Sequence, residues 1–165
     1  MTPADLVVTR TGARLFGQRL PCAIGRSGRS VHKHEGDGAT PVGDLRITGL
    51  LYRPDRMPRP TPWARPIGPR DLWSDDPADP AYNHHVRAPH RFGHETLRRA
   101  DPLYDLVLLT DWNWPDATPG QGSAIFLHQW RKPRHPTEGC IAFARADLIR
   151  VAQSLPPGSR VLIQP

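Results

Sequence analysis

Short apolar runs separated by turn residues dominate the sequence. Glycine, proline and charged residues bound each run, and runs of this kind are typical of β-strands. The predicted strands cover residues 6–10, 13–16, 20–24, 44–51, 105–110, 124–128, 140–143 and 159–164. The first two should form a hairpin, and the strands at 105–110 and 124–128 should lie side by side. The pattern therefore predicts a mainly β fold built from many short elements.

One segment instead has the periodicity of a helix. Its apolar residues recur on a single helix face at Leu148, Val151, Ala152 and Leu155. Asp147 lies in the first turn and Pro156 follows the last apolar residue, which are typical start and stop signals. We therefore predict one substantial helix over residues 146–155. A second, shorter helix with Leu97 facing inward is predicted over residues 93–101.

Residues 52–81 are rich in proline. Closely spaced prolines interrupt helices and strands, so we predict a long, ordered but irregular loop or lid here. Trp63 and Trp73 lie inside it and offer large apolar surfaces that can anchor it on the rest of the molecule. We therefore predict a single domain that spans residues 1–165, a length sufficient for an ordinary core.

The candidate chemistry lies between residues 124 and 143. An apolar run ends on His128, a loop of proline and charged residues follows, and Thr137-Glu138-Gly139-Cys140 leads into the next apolar run. A thiol that follows a glycine can present its sulfur and its backbone N–H toward one point, so it can attack a carbonyl and bind the resulting oxyanion. A neighbouring imidazole can take the thiol proton and deliver it to a leaving amine. We predict Cys140 as nucleophile, His128 as base and then acid, and the N–H groups of Gly139 and Cys140 as the oxyanion hole.

This stretch resembles the signature of the L,D-transpeptidase catalytic domain, the YkuD-type family. The signature has a histidine at the end of a strand, then Ser or Thr, any residue, Gly-Cys and an apolar residue. Here these positions are His128, Thr137, Gly139, Cys140 and Ile141. Residues 36–43 are similar to the Thr-Pro-x-Gly segment of the same family, and Trp73, Tyr82, Asn83 and Tyr104 resemble its compact single-domain branch. Glu138 and Ala142 depart from the residues common at these places.

The resemblance implies a fold, a reaction and partners. The fold would be an L,D-transpeptidase-like β-sandwich with one substantial helix after the catalytic turn. The reaction would cross-link peptidoglycan stem peptides, as donor and acceptor, through a thioester on Cys140, and a carbonyl at Gln129 would orient His128. No cofactor is implied, and carbapenems would be candidate inhibitors. An L,D-carboxypeptidase or endopeptidase and a non-catalytic wall-binding module remain alternatives, as does the choice between the bonds after stem residues one and three.

Six further residues are candidates for substrate binding. Wall peptides carry carboxylates and amides, which suits Tyr82, Asn83, His84, Thr137, Arg131 and Arg134. For Arg131 and Arg134, a charged loop exposed to solvent is an equally good interpretation. Four histidines between residues 84 and 94 invite a metal hypothesis, but no carboxylate or cysteine pattern completes a zinc set, so we predict no metal.

The charge balance indicates the class of partner. The net charge is +6, and Lys33 and Lys132 are the only lysines, so arginine carries nearly all of the positive charge. A basic surface attracts anionic polymers, although compositional bias explains the charge equally well. No nucleic-acid-binding module and no run long enough to span a membrane is recognisable, so we predict neither partner.

The expected location follows from the substrate. Peptidoglycan implies the cell envelope or periplasm, yet residues 1–5 do not resemble a secretion signal. Processing of wall fragments in the cytoplasm is the alternative. Cys22, the second cysteine, lies among apolar residues, which favours a buried and inert thiol over a disulfide that would consume Cys140.

Overall fold

A computed structural model of the protein describes residues 2–165. Its strands, in chain order, are β1 Leu6–Thr9, β2 Gly12–Leu15, β3 Gln18–Leu20, β4 Cys22–Ala23, β5 Arg29–Ser30, β6 Thr40–Pro41, β7 Gly43–Tyr52, β8 Arg65–Pro66, β9 Asp71–Ser74, β10 His85–Arg87, β11 His94–Thr96, β12 Leu106–Thr110, β13 Phe126–Gln129, β14 Ile141–Phe143 and β15 Arg160–Ile163. The helix, α1, spans Arg145–Ser154. The mainly β prediction is confirmed, and seven of the eight predicted strands agree within two residues at their ends. The strand predicted over residues 20–24 is divided at Pro21 between β3 and β4.

Ten strands form one large sheet. Its order is β3-β2-β1-β15-β7-β12-β13-β14-β4, and β8 pairs with β7 outside this path. The strands at the two ends of the order, β3 and β4, are separated in sequence only by Pro21. The ends of the sheet therefore come together, and the sheet curls into a nearly closed barrel.

The main core lies inside this curved sheet. Leu6, Ile47, Leu108 and Phe143 are among its fully buried side chains, and the inward face of α1 contributes to the same cluster. Leu148, Val151 and Ala152 are the buried residues of that helix, as their spacing predicts. α1 packs against β12, β13 and β14. The predicted helix over residues 146–155 is thus confirmed, and it supports the strands that carry the candidate catalytic residues.

A smaller sheet, with the order β10-β9-β11, corrects two predictions. The prediction of a short helix over residues 93–101 is wrong, because residues 94–96 form β11 and pair with β9. Leu97 is buried, but it follows a strand. The irregular loop over residues 52–81 is also interrupted, since Asp71–Ser74 form β9 in a stretch free of proline. In both places, backbone pairing between segments distant in sequence overrides the local preference.

A second apolar cluster joins this smaller sheet to the barrel. Trp73 of β9 packs edge-on against Phe126 of β13, with 5.0 Å between ring centroids. Trp73 is buried, and Trp63 packs on the main core, as their anchoring role predicts.

Residues 2–165 contain no group of three or more His, Cys, Asp or Glu side chains placed to hold a metal ion. Over the same residues, no helix has the length and apolar character needed to cross a bilayer.

Candidate active site

Two neighbouring strands bring His128 and Cys140 to one cavity. β13 and β14 pair in parallel, with Leu127 opposite Ile141 and His128 opposite Ala142. Cys140 immediately precedes β14, so this register places it beside Phe126, at the start of β13. His128 and Cys140 both line a cavity of about 410 Å³. The two residues that sequence reasoning selected thus face one space.

A backbone carbonyl orients the buried imidazole of His128. Its Nδ1 lies 2.8 Å from the carbonyl oxygen of Gln129. A carbonyl can only accept, so Nδ1 carries the proton and donates it, which leaves Nε2 as the acceptor. Burial lowers the pKa of His128 to about 4, although the Gln129 carbonyl acts in the opposite direction. The ring is therefore neutral at pH 7 and has a lone pair available for a proton.

The thiol of Cys140 is held by backbone groups just before and at the start of β13. Its Sγ lies 3.0 Å from the carbonyl oxygen of Ala124, to which it donates, and 3.4 Å from the N–H of Phe126, from which it accepts. Burial raises the pKa of Cys140 to about 12 and the charge of Glu95 raises it further, whereas the Phe126 N–H and Lys33 lower it. The resting site thus contains a neutral thiol and a neutral imidazole that line the same cavity.

Thr137 fixes the turn that presents Cys140. Its Oγ1 accepts a hydrogen bond of 3.1 Å from the N–H of Gly139 and donates one of 2.6 Å to the carbonyl oxygen of Cys140. The first of these bonds means that the Gly139 N–H, one of the two predicted oxyanion donors, points to Thr137 in this structure. The N–H of Cys140 is then the remaining candidate. Thr137 also lines the cavity, but both hydrogen bonds of its hydroxyl are made within the turn itself.

The segment 36–43 forms a wall behind this turn. Thr40 Oγ1 donates a hydrogen bond of 2.8 Å to the carbonyl oxygen of Gly139 and accepts one of 2.9 Å from the N–H of Gly25. Gly139 has a φ of +144°, and a Cβ at this position would lie 2.9 Å from the carbonyl oxygen of Ala39. A glycine is therefore required before the cysteine both by backbone conformation and by space.

The other predicted substrate-binding residues lie in different places. Arg131 lines the cavity with His128 and Cys140. Tyr82 is buried and donates its hydroxyl to Glu35. His84 lines a separate groove beside Trp114, and Arg134 lines another groove next to the β1–β2 hairpin.

Asn83 is occupied by internal contacts. It is buried with a φ of +58°. Its Oδ1 accepts from the indole of Trp73 and from the N–H of Ala124, at 3.0 Å each, and its Nδ2 donates to the carbonyls of Trp112 and Asn113. This amide therefore fixes the backbone at Ala124, whose carbonyl contacts the thiol of Cys140.

Sequence reasoning missed Glu95 and Arg99, which also line the cavity, and noted Tyr104 only as a mark of resemblance. The hydroxyl of Tyr104 donates to the Glu95 carboxylate, and its ring lies edge-on to His128 with 5.4 Å between centroids. Burial and the nearby charges of Asp75 and Glu35 raise the pKa of Glu95. Because the segment around Glu95 was predicted as a helix, nothing in the sequence placed this carboxylate near Cys140.

Comparisons with known proteins agree with this geometry. A family model described as the L,D-transpeptidase catalytic domain, YkuD, matches residues 3–163. Searches of curated proteins and of solved structures give no significant match. The family model covers nearly the whole chain and includes both residues that share the cavity, so this protein belongs to the YkuD family of L,D-transpeptidase catalytic domains.

Proposed function

We propose that the protein is a peptidoglycan L,D-transpeptidase with Cys140 as nucleophile and His128 as general base. One observation carries this proposal: His128 and Cys140 line a single cavity while the Gln129 carbonyl holds His128 Nδ1. That contact leaves Nε2 free to accept the thiol proton. A nucleophile, a base and a group that orients the base are the parts needed for covalent acyl transfer.

The first half-reaction acylates the enzyme. The thiol leaves the Ala124 carbonyl, His128 Nε2 takes its proton, and Sγ attacks the carbonyl carbon of a donor stem peptide. The N–H of Cys140 donates to the oxyanion of the tetrahedral intermediate. Collapse of the intermediate breaks the C–N bond, and His128 returns the proton to the leaving amine. The product is a thioester on Cys140.

The second half-reaction transfers the acyl group to an amine. The neutral amine of an acceptor stem peptide attacks the thioester carbon, and His128 takes the proton that the amine loses. The C–S bond then breaks and the sulfur leaves as a thiolate, which regains its proton from His128. The acceptor amine is thereby joined to the donor through a new amide bond, and the enzyme returns to its neutral resting state.

The charges around the cavity suit a substrate that has both amines and carboxylates. Glu95 lies near enough to Cys140 to influence its pKa, and it offers a carboxylate for an ammonium group of a stem peptide. Arg131 and Arg99 line the same cavity and offer guanidinium groups for stem carboxylates. With peptidoglycan as the substrate, the cell envelope is the proposed site of action.

The experiment is incubation of the purified protein with defined tripeptide, tetrapeptide and pentapeptide muropeptides, followed by mass spectrometry. Cross-linked dimers are expected, and their fragmentation identifies the donor residue. Cys140→Ala should abolish them. Cys22→Ala is the matched control, because Cys22 is the other free thiol and is buried away from the cavity on β4.

Other products would contradict the proposal in different ways. Shortened monomers without dimers would replace transpeptidation by hydrolysis, with water as the acceptor. Turnover by the Cys140→Ala variant would show that Cys140 is not the nucleophile. Binding of muropeptides without any turnover would favour a wall-binding module.

A further inference from the structure

A groove of about 590 Å³ lies outside the catalytic cavity, between the β1–β2–β3 strands and the loop that joins His128 to Cys140. Three arginines line it: Arg14 of β2, Arg19 of the neighbouring β3, and Arg134 of the loop. The side chains of all three are exposed to solvent. The groove therefore concentrates positive charge on one outer face of the barrel.

Arg14 and Arg19 stand directly opposite each other. They are paired residues in the antiparallel register of β2 and β3, so their side chains project from the same face of the sheet. Like charges in directly opposite positions repel and destabilise the pair of strands. A bound anion between the two guanidinium groups would remove this repulsion.

Arg134 adds a third charge from a different part of the chain. Its φ is +58°. Burial raises the pKa of the Cys22 thiol on β4 to about 11, and the charge of Arg134 acts in the opposite direction, which indicates that Arg134 lies near β4. The side chain of Arg134 thus lies toward the hairpin, and it is absent from the lining of the catalytic cavity.

These arginines differ from most others in the protein. Arg53, Arg99 and Arg160, for example, form ion pairs with carboxylates at 2.7–2.8 Å. Within residues 2–165, the side chains of Arg14, Arg19 and Arg134 form no hydrogen bond or ion pair, and no acidic side chain lines their groove. The positive charge of these three guanidinium groups is therefore not paired with any acidic side chain of the groove lining.

We propose that this groove is a binding site for phosphate groups. The planar fork of arginine fits phosphate and carboxylate oxygens with paired hydrogen bonds, and a phosphate carries several acceptor oxygens for three arginines that line one groove. Aromatic side chains are absent from the described lining, so the groove offers no platform for stacked bases of single-stranded nucleic acid. A bound phosphate ties the loop of Arg134 to the hairpin. Its source is either a small phosphate ester or a phosphodiester polymer.

The test measures binding of labelled poly(glycerol phosphate) by fluorescence anisotropy, with inorganic phosphate and glycerol 3-phosphate as competitors. The double variant Arg14→Gln/Arg19→Gln and the single variant Arg134→Gln should each weaken binding about tenfold or more, since each removes charge-assisted hydrogen bonds. Arg65→Gln is the matched control. Arg65 is also exposed and lines a different groove, so its loss should change binding less than about twofold.

Thermal unfolding supplies a second, independent readout. Without phosphate, Arg14→Gln should raise Tm by up to about 4 °C, because it removes the repulsion from Arg19. With phosphate, the wild type should gain more in Tm than this variant does. A variant with a higher Tm without phosphate and a smaller gain in Tm with phosphate has lost the binding site and kept the fold.

The competitors distinguish the two sources. Displacement by the small phosphates at the same concentration of phosphate groups supports a small-ester site, whereas displacement only by the unlabelled polymer supports an extended phosphodiester. Equal weakening by Arg65→Gln, or no weakening by any groove variant, would overturn the proposal. Tighter binding of single-stranded DNA, lost in the same variants, would also overturn it and make the groove a nucleic-acid site.

Discussion

The hydroxyl of Thr137 is the contact whose removal most directly tests how the turn presents Cys140. Thr137→Val keeps the shape of the side chain but removes the bonds from the Gly139 N–H and to the Cys140 carbonyl. Each hydrogen bond contributes about 1 kcal/mol, and a buried group left without a partner adds a desolvation cost, so the free energy of unfolding should fall by about 2–3 kcal/mol. At roughly 2–4 °C per kcal/mol for a chain of this size, Tm should fall by about 4–12 °C.

The assay combines calorimetry with turnover of muropeptides. Because the same bonds position the sulfur, kcat should fall about tenfold or more at a temperature where the variant is fully folded, while KM changes little. Thr137→Ser is the matched control, since it keeps the hydroxyl, and it should remain close to the wild type in both measurements. If Thr137→Val melts with the wild type and turns over at the same rate, the hydroxyl does not hold the turn.

Three further predictions concern protonation and inhibition. The folded pKa of His128 is about 4 and its unfolded pKa is about 6.5, so the unfolded state binds more protons between these values. The titration of His128 therefore leaves the free energy of unfolding unchanged above about pH 6.5 and lowers it as the pH falls toward 4. At pH 4.5 the free energy of unfolding should be lower by about 2–3 kcal/mol than at pH 7. Denaturant titrations should show a steeper pH dependence of this free energy for the wild type than for His128→Gln. The rate of alkylation of Cys140 by iodoacetamide, measured in the Cys22→Ala background, should rise about tenfold per pH unit from pH 7 to 10. Glu95→Gln should increase this rate at pH 8, because it lowers the pKa of the thiol. A rate that reaches a plateau below pH 8 would contradict a neutral thiol at rest. Intact-mass analysis should detect a carbapenem adduct on the wild type and none on Cys140→Ala.

Local sequence patterns predicted the barrel strands and α1 because these elements need few long-range contacts to be recognised. α1 carries its apolar face within about three helical turns, and β12 is an almost continuous apolar run. The sheet of β9, β10 and β11 could not be predicted in the same way. β11 contains His94, Glu95 and Thr96, with no apolar residue to mark it, and it exists because it pairs with β9, about twenty residues earlier.

The same limit explains which site residues were found. His128 and Cys140 are recognisable because their residue types and spacing are rare and chemically specific. Glu95 reaches the cavity only through the unpredicted β11, and its bond to Tyr104 connects two segments of the chain. Asn83 has a side chain suited to binding a peptide, but its amide is satisfied by Ala124 and by the loop at residues 112–113, which no local pattern reveals.

Backbone atoms, not side chains, hold both reacting groups in this site. The carbonyl of Gln129 fixes the tautomer of His128, and the carbonyl of Ala124 holds the thiol of Cys140. Every residue type has a carbonyl, so the identity of residue 129 carries little information about its role. The position of these carbonyls depends instead on the register of β13 and β14 and on the amide of Asn83. The neutral resting state follows from the burial of both groups, and neither backbone contact brings a full charge that would offset the effect of burial on their pKa values. In the proposed mechanism, the proton therefore moves from sulfur to imidazole during the attack on a bound carbonyl, when the N–H of Cys140 can stabilise the charge that develops.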